Sequence, residues 1–246
     1  MDQAIVNPIR GKGEKELPEN GILLINPSDA LPLINQAAKS AGQRRAIYNS
    51  NLLVIPATVG GRDIFISGPA VGAPMAVLSL DKLIALGAKR VIVYGWAGSI
   101  NRKLSCGDLL LPTQWQSSEG TSCHYPLPGL AAKSSDELRG RLEILFKAPG
   151  SPKVKQGPIW TTDAPYRETG ELVKMQASKG AMAVEMEFAA LATVALFRKI
   201  ELAGALLISD ALLERPYISK VSSKEFQKQS RKIARTIIKA LSEGKI

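Results

Sequence analysis

The chain reads as a single α/β domain with a central mixed β-sheet flanked by helices. Three observations predict this class. Residues 63–94 run strand, Gly-rich loop, helix, strand, which is the pattern of a parallel βαβ unit. The runs 51–57 (NLLVIPA) and 63–67 (DIFIS) flank Gly60-Gly61, a hairpin signal that adds an antiparallel pair. Short apolar runs at 21–26 and 202–208 read as further buried strands. With 246 residues, 45% of them hydrophobic, the chain can bury roughly 70% of its extended surface in one core. No repeat or linker divides it, so residues 21–246 are read as one domain.

Residues 1–20 are polar and carry Pro8, Gly11, Gly13 and Pro18, which predicts an extended arm. GILLIN (21–26) is a strand ended by Pro27. Asn26-Pro27-Ser28-Asp29 then turns into a helix over about 29–41, with Ser28 or Asp29 as N-cap. Gly68-Pro69-Ala70-Val71-Gly72-Ala73-Pro74 is a loop. From Met75 the residues Val77, Leu78, Leu80, Leu83, Ile84 and Leu86 follow helical spacing until Gly87. RVIVY (90–94) is a buried strand broken by Gly95. That leaves Gly95-Trp96-Ala97-Gly98-Ser99 at the carboxyl end of a central strand, where open α/β sheets bind ligands. Residues 112–160 read as loop-rich because of Pro112, Pro126, Pro128, Pro149, Pro152 and Pro158, with one helix at about 134–147. Residues 183–199 are a strand end running into an apolar helix. Residues 202–208 are a strand ended by Ser209-Asp210. The last element, about 222–242, is an amphipathic helix with Phe226, Ile233, Ile237, Ile238 and Leu241 on one side and a Lys/Arg-rich remainder.

Composition narrows the function. The net charge is +10, from 32 basic and 22 acidic groups, and such a surface attracts anions. Aromatic residues are only 5% of the chain, which argues against a base-stacking surface, so the basic excess reads as a solvated face and no nucleic-acid partner is expected. No apolar run approaches the roughly 20 residues that span a bilayer, and no membrane role is expected. Cys106 and Cys123 form no CxxC pair, and the first residues lack a signal-peptide pattern, so a reducing cytoplasm is the expected setting. His124 is the only histidine, which removes His-rich metal sites and argues against a catalytic triad.

Four polar constellations stand at strand or loop ends. In Val184-Glu185-Met186-Glu187, an extended chain points both carboxylates to one face, whereas a helix sets them about 200° apart. A carboxylate there can accept the two hydroxyls of a ribose, and the Met186 thioether can pack on the sugar; the plainer reading is a helix N-terminus that favours acids. Ser209-Asp210 can place an acid beside a leaving base, or can simply cap a helix. Residues 161–169, with Tyr166 and Arg167, suit a flat heterocycle or a capped turn. The fourth, Glu119 to Tyr125, holds His124.

Taken together, GPAVGAP (including Gly72), the following helix and strand, GWAGS, Cys106-Gly107-Asp108-Leu109, VEMEFAAL and ISD stand in the order and spacing of the type I nucleoside phosphorylases. From about residue 21 to 240 the chain resembles that family, which includes purine nucleoside phosphorylase, uridine phosphorylase and methylthioadenosine nucleosidase. The resemblance implies cleavage of the bond between sugar C1′ and a base nitrogen of a purine or pyrimidine (deoxy)ribonucleoside. Glu187 would hold the ribose hydroxyls, with Glu185 beside it, Met186 would wall the sugar, and Asp210 with Ser209 would help the base leave. Gly98 and the Tyr166-Arg167 segment would border the base, and Gly72, Trp96, Ala97 and His124 would join the substrate site. EGTSCHY looks most like uridine phosphorylases, and Ser209-Asp210 like the purine-cleaving members. A homo-oligomer, dimer or hexamer, is implied as well, and so is chemistry with no metal and no organic cofactor.

The resemblance implies phosphorolysis first, with phosphate as co-substrate; hydrolysis by water and nucleoside binding without turnover are the alternatives. The family's phosphate-binding turn, Gly-Asp-Pro-x-Arg, is matched by Ile25-Asn26-Pro27-Ser28-Asp29, with Asp29 where the arginine would stand. Two further phosphate arginines fall on Pro56 and Val93, and Trp96 replaces a small hydroxyl residue. The nucleosidase members also lack these arginines. Arg45, Arg62 and Arg102 are the basic groups that could replace them.

Overall fold

The structure is a computed structural model that describes residues 4–41, 45–48, 50–57, 61–127, 134–214 and 217–246. It is an α/β fold with a central mixed sheet flanked by helices. The strands are β1 (Asn20–Leu24), β2 (Arg45–Ile47), β3 (Ser50–Ile55), β4 (Ile64–Gly68), β5 (Arg90–Ser99), β6 (Leu109–Ser118), β7 (Val154–Thr162), β8 (Ala183–Glu185), β9 (Glu201–Ala211) and β10 (Ile218–Ser219). The helices are α1 (Pro27–Ala41), α2 (Ala73–Ala85), α3 (Asp136–Leu145), α4 (Gly170–Ser178), α5 (Phe188–Arg198) and α6 (Lys224–Ser242).

Two parts make up the sheet. β1 lies between β4 and β5, parallel to both, and the antiparallel β3 and β2 extend this wing outward. On the other side β5 pairs with β9, β9 with β6, β6 with β7, β7 with β8, and β8 returns to β5. Five strands therefore close on themselves, with β5 as the hinge strand of the fold. Side chains alternate along β1: Leu23 enters a core layer with α2 and α5, while Ile22 and Leu24 enter a second layer with α1, α3 and α6. Residues 4–19 hold no helix or strand. They lie along the end of α2, where the Leu17 N–H donates to Leu86 O at 2.7 Å and Lys82 pairs with Glu14 at 2.5 Å.

Several expectations need correction. Helix α1 starts at Pro27, two residues early, because a proline in the first turn loses no needed N–H; Asn26 O accepts the first helical bond, and Ser28 and Asp29 are inside the helix. β2 was not anticipated. Gly60 of the hairpin turn lies outside the described residues. Gly95 does not break β5, which runs on to Ser99. A Cβ there would stand 3.2 Å from the Ile25 Cβ, so this glycine serves close packing, not a turn. The loop-rich 112–160 contains β6 and β7, which pair in parallel. Their register shifts between Pro112 and Trp115, opposite Gly157 and Ile159, so Pro112 and Pro158 both sit in an irregularity where a ladder N–H is dispensable. β9 continues through Ser209-Asp210 to Ala211, and no helix follows, so that pair caps nothing.

Gly21, on the central β1, faces the Phe65 ring so closely that an added Cβ would collide with it. Gly21→Ala is expected to lower stability by about 1–3 kcal/mol through overpacking. A shifted denaturant midpoint at constant m would show it; an unchanged midpoint would mean the Phe65 ring can move aside.

Candidate active site

A cavity of about 850 Å³ opens at the carboxyl ends of β5, β8 and β9 and reaches the corner between β1 and α1 at Ile25 and Asn26. β5 and β9 run parallel in step until Ala97 pairs with Ile208. The register then skips Ser209, so Gly98 pairs with Asp210 and the Asp210 side chain turns toward the cavity. Gly98 is required here: a Cβ on it would lie 2.5 Å from Leu212 Cδ1 and 2.9 Å from Asp210 Oδ2. The Ser209 hydroxyl donates to Asp210 Oδ1 at 2.6 Å, and the Tyr217 hydroxyl donates to Oδ2 at 2.9 Å. Burial and the Asp210 charge push the Tyr217 phenol up to about 12. The same two causes, burial first, push Glu168 up to about 7.

A second wall of the cavity is built at the β8–α5 junction. It is neither the continuous strand nor the helix weighed from sequence but a turn between them. Glu185 is buried at the end of β8. Its Oε2 accepts the N–H groups of Glu187 (2.8 Å) and Phe188 (2.7 Å), and its Oε1 accepts the Thr161 hydroxyl of β7. It therefore satisfies the first amides of α5, whose N-terminus favours an acid. Glu187 occupies the cap position itself, and its Oε1 accepts the Gly72 N–H at 2.6 Å. Gly72 supplies that N–H from a positive φ of 84° at the start of α2, a conformation that suits glycine. Burial pushes both carboxyls upward, and for Glu187 the Glu185 charge adds to it.

The corner between β1 and α1 is closed by a hydrogen-bonded cluster. Asp29, only 1% exposed, accepts at Oδ2 from Trp96 Nε1 (2.9 Å) and Ser230 Oγ (2.6 Å). Tyr94 joins Ser230 at 2.9 Å, and Trp96 packs edge-on against Phe226 of α6. Burial raises the Asp29 carboxyl above its ordinary value, against the pull of Ser230, Trp96 and Arg231. Val93 is buried inside β5 and Pro56 is exposed, and neither brings a charge. Of the three replacement cations, Arg102 lines the cavity; Arg62 reaches the Gly244 carbonyl instead, and Arg45 lies on β2 at the far edge of the sheet. Lys174 is the other basic side chain on the lining.

The structure thus brings Trp96, Ala97, Gly98, Tyr166, Glu185, Met186, Glu187, Ser209 and Asp210 around one cavity, with Gly72 touching it through its N–H. Arg167 shares the turn of Tyr166 but is exposed and off the lining. His124 is also elsewhere. It sits in a one-turn helix at Ser122–His124, in a separate cleft with Asp81, Tyr125 and Asp163. Sequence reasoning missed Glu168, although it lies inside the polar run 161–169, and Tyr217, which only the β10–β9 pairing brings back to Asp210. Among the described residues no group of three or more His, Cys, Asp or Glu is arranged to hold a metal, and no helix is long and apolar enough to cross a membrane.

The sequence pattern of the phosphorylase superfamily matches residues 21–243. The chain belongs to that superfamily. It is 31% identical over 158 residues to a DeoD-type purine nucleoside phosphorylase of an Exiguobacterium species, covering 63% of this chain and 66% of the relative. It is 28% identical over 169 residues to a guanosine phosphorylase of Halorubrum lacusprofundi, covering 67% and 68%. The match thus spans about two thirds of the length of these relatives. The fold matches a uridine phosphorylase of Vibrio fischeri with TM-score 0.76 at 22% identity, over 92% of this chain and 91% of the other. It matches a 5′-methylthioadenosine/S-adenosyl homocysteine nucleosidase of Campylobacter jejuni equally well, at TM-score 0.76 and 22% identity, over 92% and 99%. This family of nucleoside phosphorylases and nucleosidases thus holds both transferases and hydrolases on one fold.

Glu185 accepts three hydrogen bonds while buried, so Glu185→Ala is expected to cost about 1–3 kcal/mol from unsatisfied amides alone. Urea titration reads this directly. A loss below a few tenths would show that the α5 amides find other partners.

Proposed function

We propose that the protein cleaves the N-glycosidic bond of a nucleoside and that water is its nucleophile. The observation that carries the choice of water is the closed Asp29–Trp96–Ser230 corner. A phosphate site needs fixed cations, and each charged contact contributes about 1.5–3 kcal/mol. Here the corner presents a buried carboxyl and an indole. The described cavity lining adds the acids Glu168, Glu185, Glu187 and Asp210 against the cations Arg102 and Lys174. With four acids beside two cations, the lining offers no surplus of positive charge for a phosphate dianion, and a carboxylate at the sugar favours the positive charge that develops at C1′.

In this reading Glu187, aimed by the Gly72 N–H, accepts the ribose hydroxyls. Met186 packs on the sugar. Asp210 stands at the base end and assists departure of the base between the Tyr166 turn and Leu212. Phosphorolysis is the second reading; Arg102 and Lys174 are what favours it. A homo-oligomer belongs to the same proposal and rests on the family resemblance alone; a cytoplasmic setting belongs to it too and rests on the two unpaired cysteines.

Incubation with a nucleoside panel, with and without phosphate, tests this. Free sugar in both conditions is expected. Sugar 1-phosphate, or micromolar phosphate affinity by calorimetry, would move the assignment to phosphorolysis, and no cleavage at all would leave a binding protein. On a cleaved substrate, Glu187→Gln is expected to lower kcat by roughly 10²-fold, because an ionised acceptor is worth most as charge develops at C1′. Wild-type turnover in that variant would remove Glu187 from the site.

A further inference from the structure

Asp210 meets two hydroxyls of different origin. The Ser209 hydroxyl stands 2.6 Å from Asp210 Oδ1 and 3.3 Å from Ala97 O. The Tyr217 hydroxyl donates to Oδ2 at 2.9 Å. Each carboxyl oxygen has two lone-pair sites, so Asp210 can hold a proton toward the cavity while both hydroxyls stay in place.

Ser209 adjoins Asp210 in the chain and arrives with β9. Tyr217 arrives by a separate device. The chain turns back after β9, and β10 pairs antiparallel with it so that Ser219 stands opposite Asp210. The Lys220 N–H then donates to Ser209 O at 2.8 Å. This short ladder holds Tyr217 on the cavity lining beside Leu212 and Leu213. The ring is 58% exposed, so core packing does not account for a tyrosine there. We propose that Tyr217 is the positioning residue of the acid: its hydroxyl holds Asp210 toward the base and stabilises the carboxylate that forms as the Asp210 proton passes to the leaving base. This rests on the nucleoside-cleaving reading and adds a residue to it.

The argument is one of changing bond strength. A phenol bonded to a neutral carboxyl group makes an ordinary hydrogen bond; bonded to a carboxylate it makes a charge-assisted one, roughly twice as strong. Asp210 gains its charge only as the base departs, so the bond tightens toward the transition state and lowers the barrier. The step balances. As the C1′–N bond breaks, its electron pair moves onto the base, and the Asp210 proton bonds to a ring nitrogen. Asp210 is left as a carboxylate under the Tyr217 hydroxyl. Water closes on C1′ and releases a proton to solvent, and Asp210 is reprotonated from solvent. Nucleoside plus water becomes sugar plus neutral base. Tyr217 keeps its own proton throughout, since burial and the Asp210 charge push the phenol up to about 12.

The test is Tyr217→Phe, which removes the hydroxyl and keeps the ring, on two substrates: a purine nucleoside with a poor leaving group and 4-nitrophenyl riboside. On the purine nucleoside kcat is expected to fall roughly tenfold, the difference between a neutral and a charge-assisted bond, with KM within about twofold. On the nitrophenyl riboside, whose leaving group departs as a stable anion, kcat should stay within about twofold. The same change is then made in Asp210→Asn and read in single turnover of the purine nucleoside with enzyme in excess. There Tyr217→Phe should cost nothing further, because no carboxylate forms. Wild-type kcat in Tyr217→Phe, an equal loss on both substrates, or the same tenfold loss in the Asp210→Asn background would each overturn the positioning role and leave the cleavage reading intact. A wild type inert on a whole nucleoside panel would overturn both.

Discussion

The junction of β7, β8 and α5 is held by one buried carboxyl group, and the cavity takes its form from it. Glu185 receives a hydroxyl from Thr161 on β7 and two amides from the first turn of α5. Those amides belong to Glu187 and Phe188, so the same bonds that satisfy the helix end also fix where the Glu187 backbone lies. Thr161 is tied in further, since its hydroxyl accepts the Ala189 N–H at 2.9 Å. Two strands and a helix thus converge on a carboxyl that has no freedom to serve a ligand directly. Glu187 beside it keeps one oxygen engaged by Gly72 and the rest of its carboxyl toward the cavity. Support and contact are divided between two residues of the same type, two positions apart.

The division repeats at the other end of the cavity. Asp210 is fixed by Ser209 and Tyr217, whereas Glu168 carries the raised proton affinity. A half-buried carboxyl beside a charged one holds its proton more tightly than an exposed one. The acids thus stand in two groups on one cavity lining. The third buried acid, Asp29, is spent on the Trp96–Ser230 cluster that seals the corner between β1 and α1.

Local pattern carried the outline of this fold. The helical spacing from Met75, the capping Ser223 before α6 and the apolar runs of β1 and β9 each agree with what their sequence favours alone. The errors share a cause. Gly95, Pro112, Pro158 and Ser209-Asp210 read locally as breaks, yet each lies inside a strand because a partner strand on either side supplies the missing bonds or needs the missing Cβ. At the site, acids sitting at strand ends were legible. Which acid supports and which faces the cavity was not, because Thr161, Gly72 and Tyr217 reach their carboxylates from distant parts of the chain. His124 shows the reverse: a rare residue type drew attention, and the fold sets it in another cleft.

The molecule is strongly basic while its cavity gathers acids, and the ranges of the two sets of charges differ. The net +10 is spread over a surface that includes the lysines and arginines of α6, and at about 0.1 M salt such charges are screened beyond about 10 Å. Inside the cavity, with fewer water molecules to screen them, the acids act at contact distance and are felt more strongly. An anion is therefore drawn toward the protein and then disfavoured at the site itself. In the proposed reading a neutral nucleoside meets no such opposition: its hydroxyls find acceptors in Glu187, its base finds Asp210, and positive charge appears only as its bond breaks, where carboxylates stabilise it. On that reading, one set of residues both disfavours phosphate and lowers the energy of the cationic sugar.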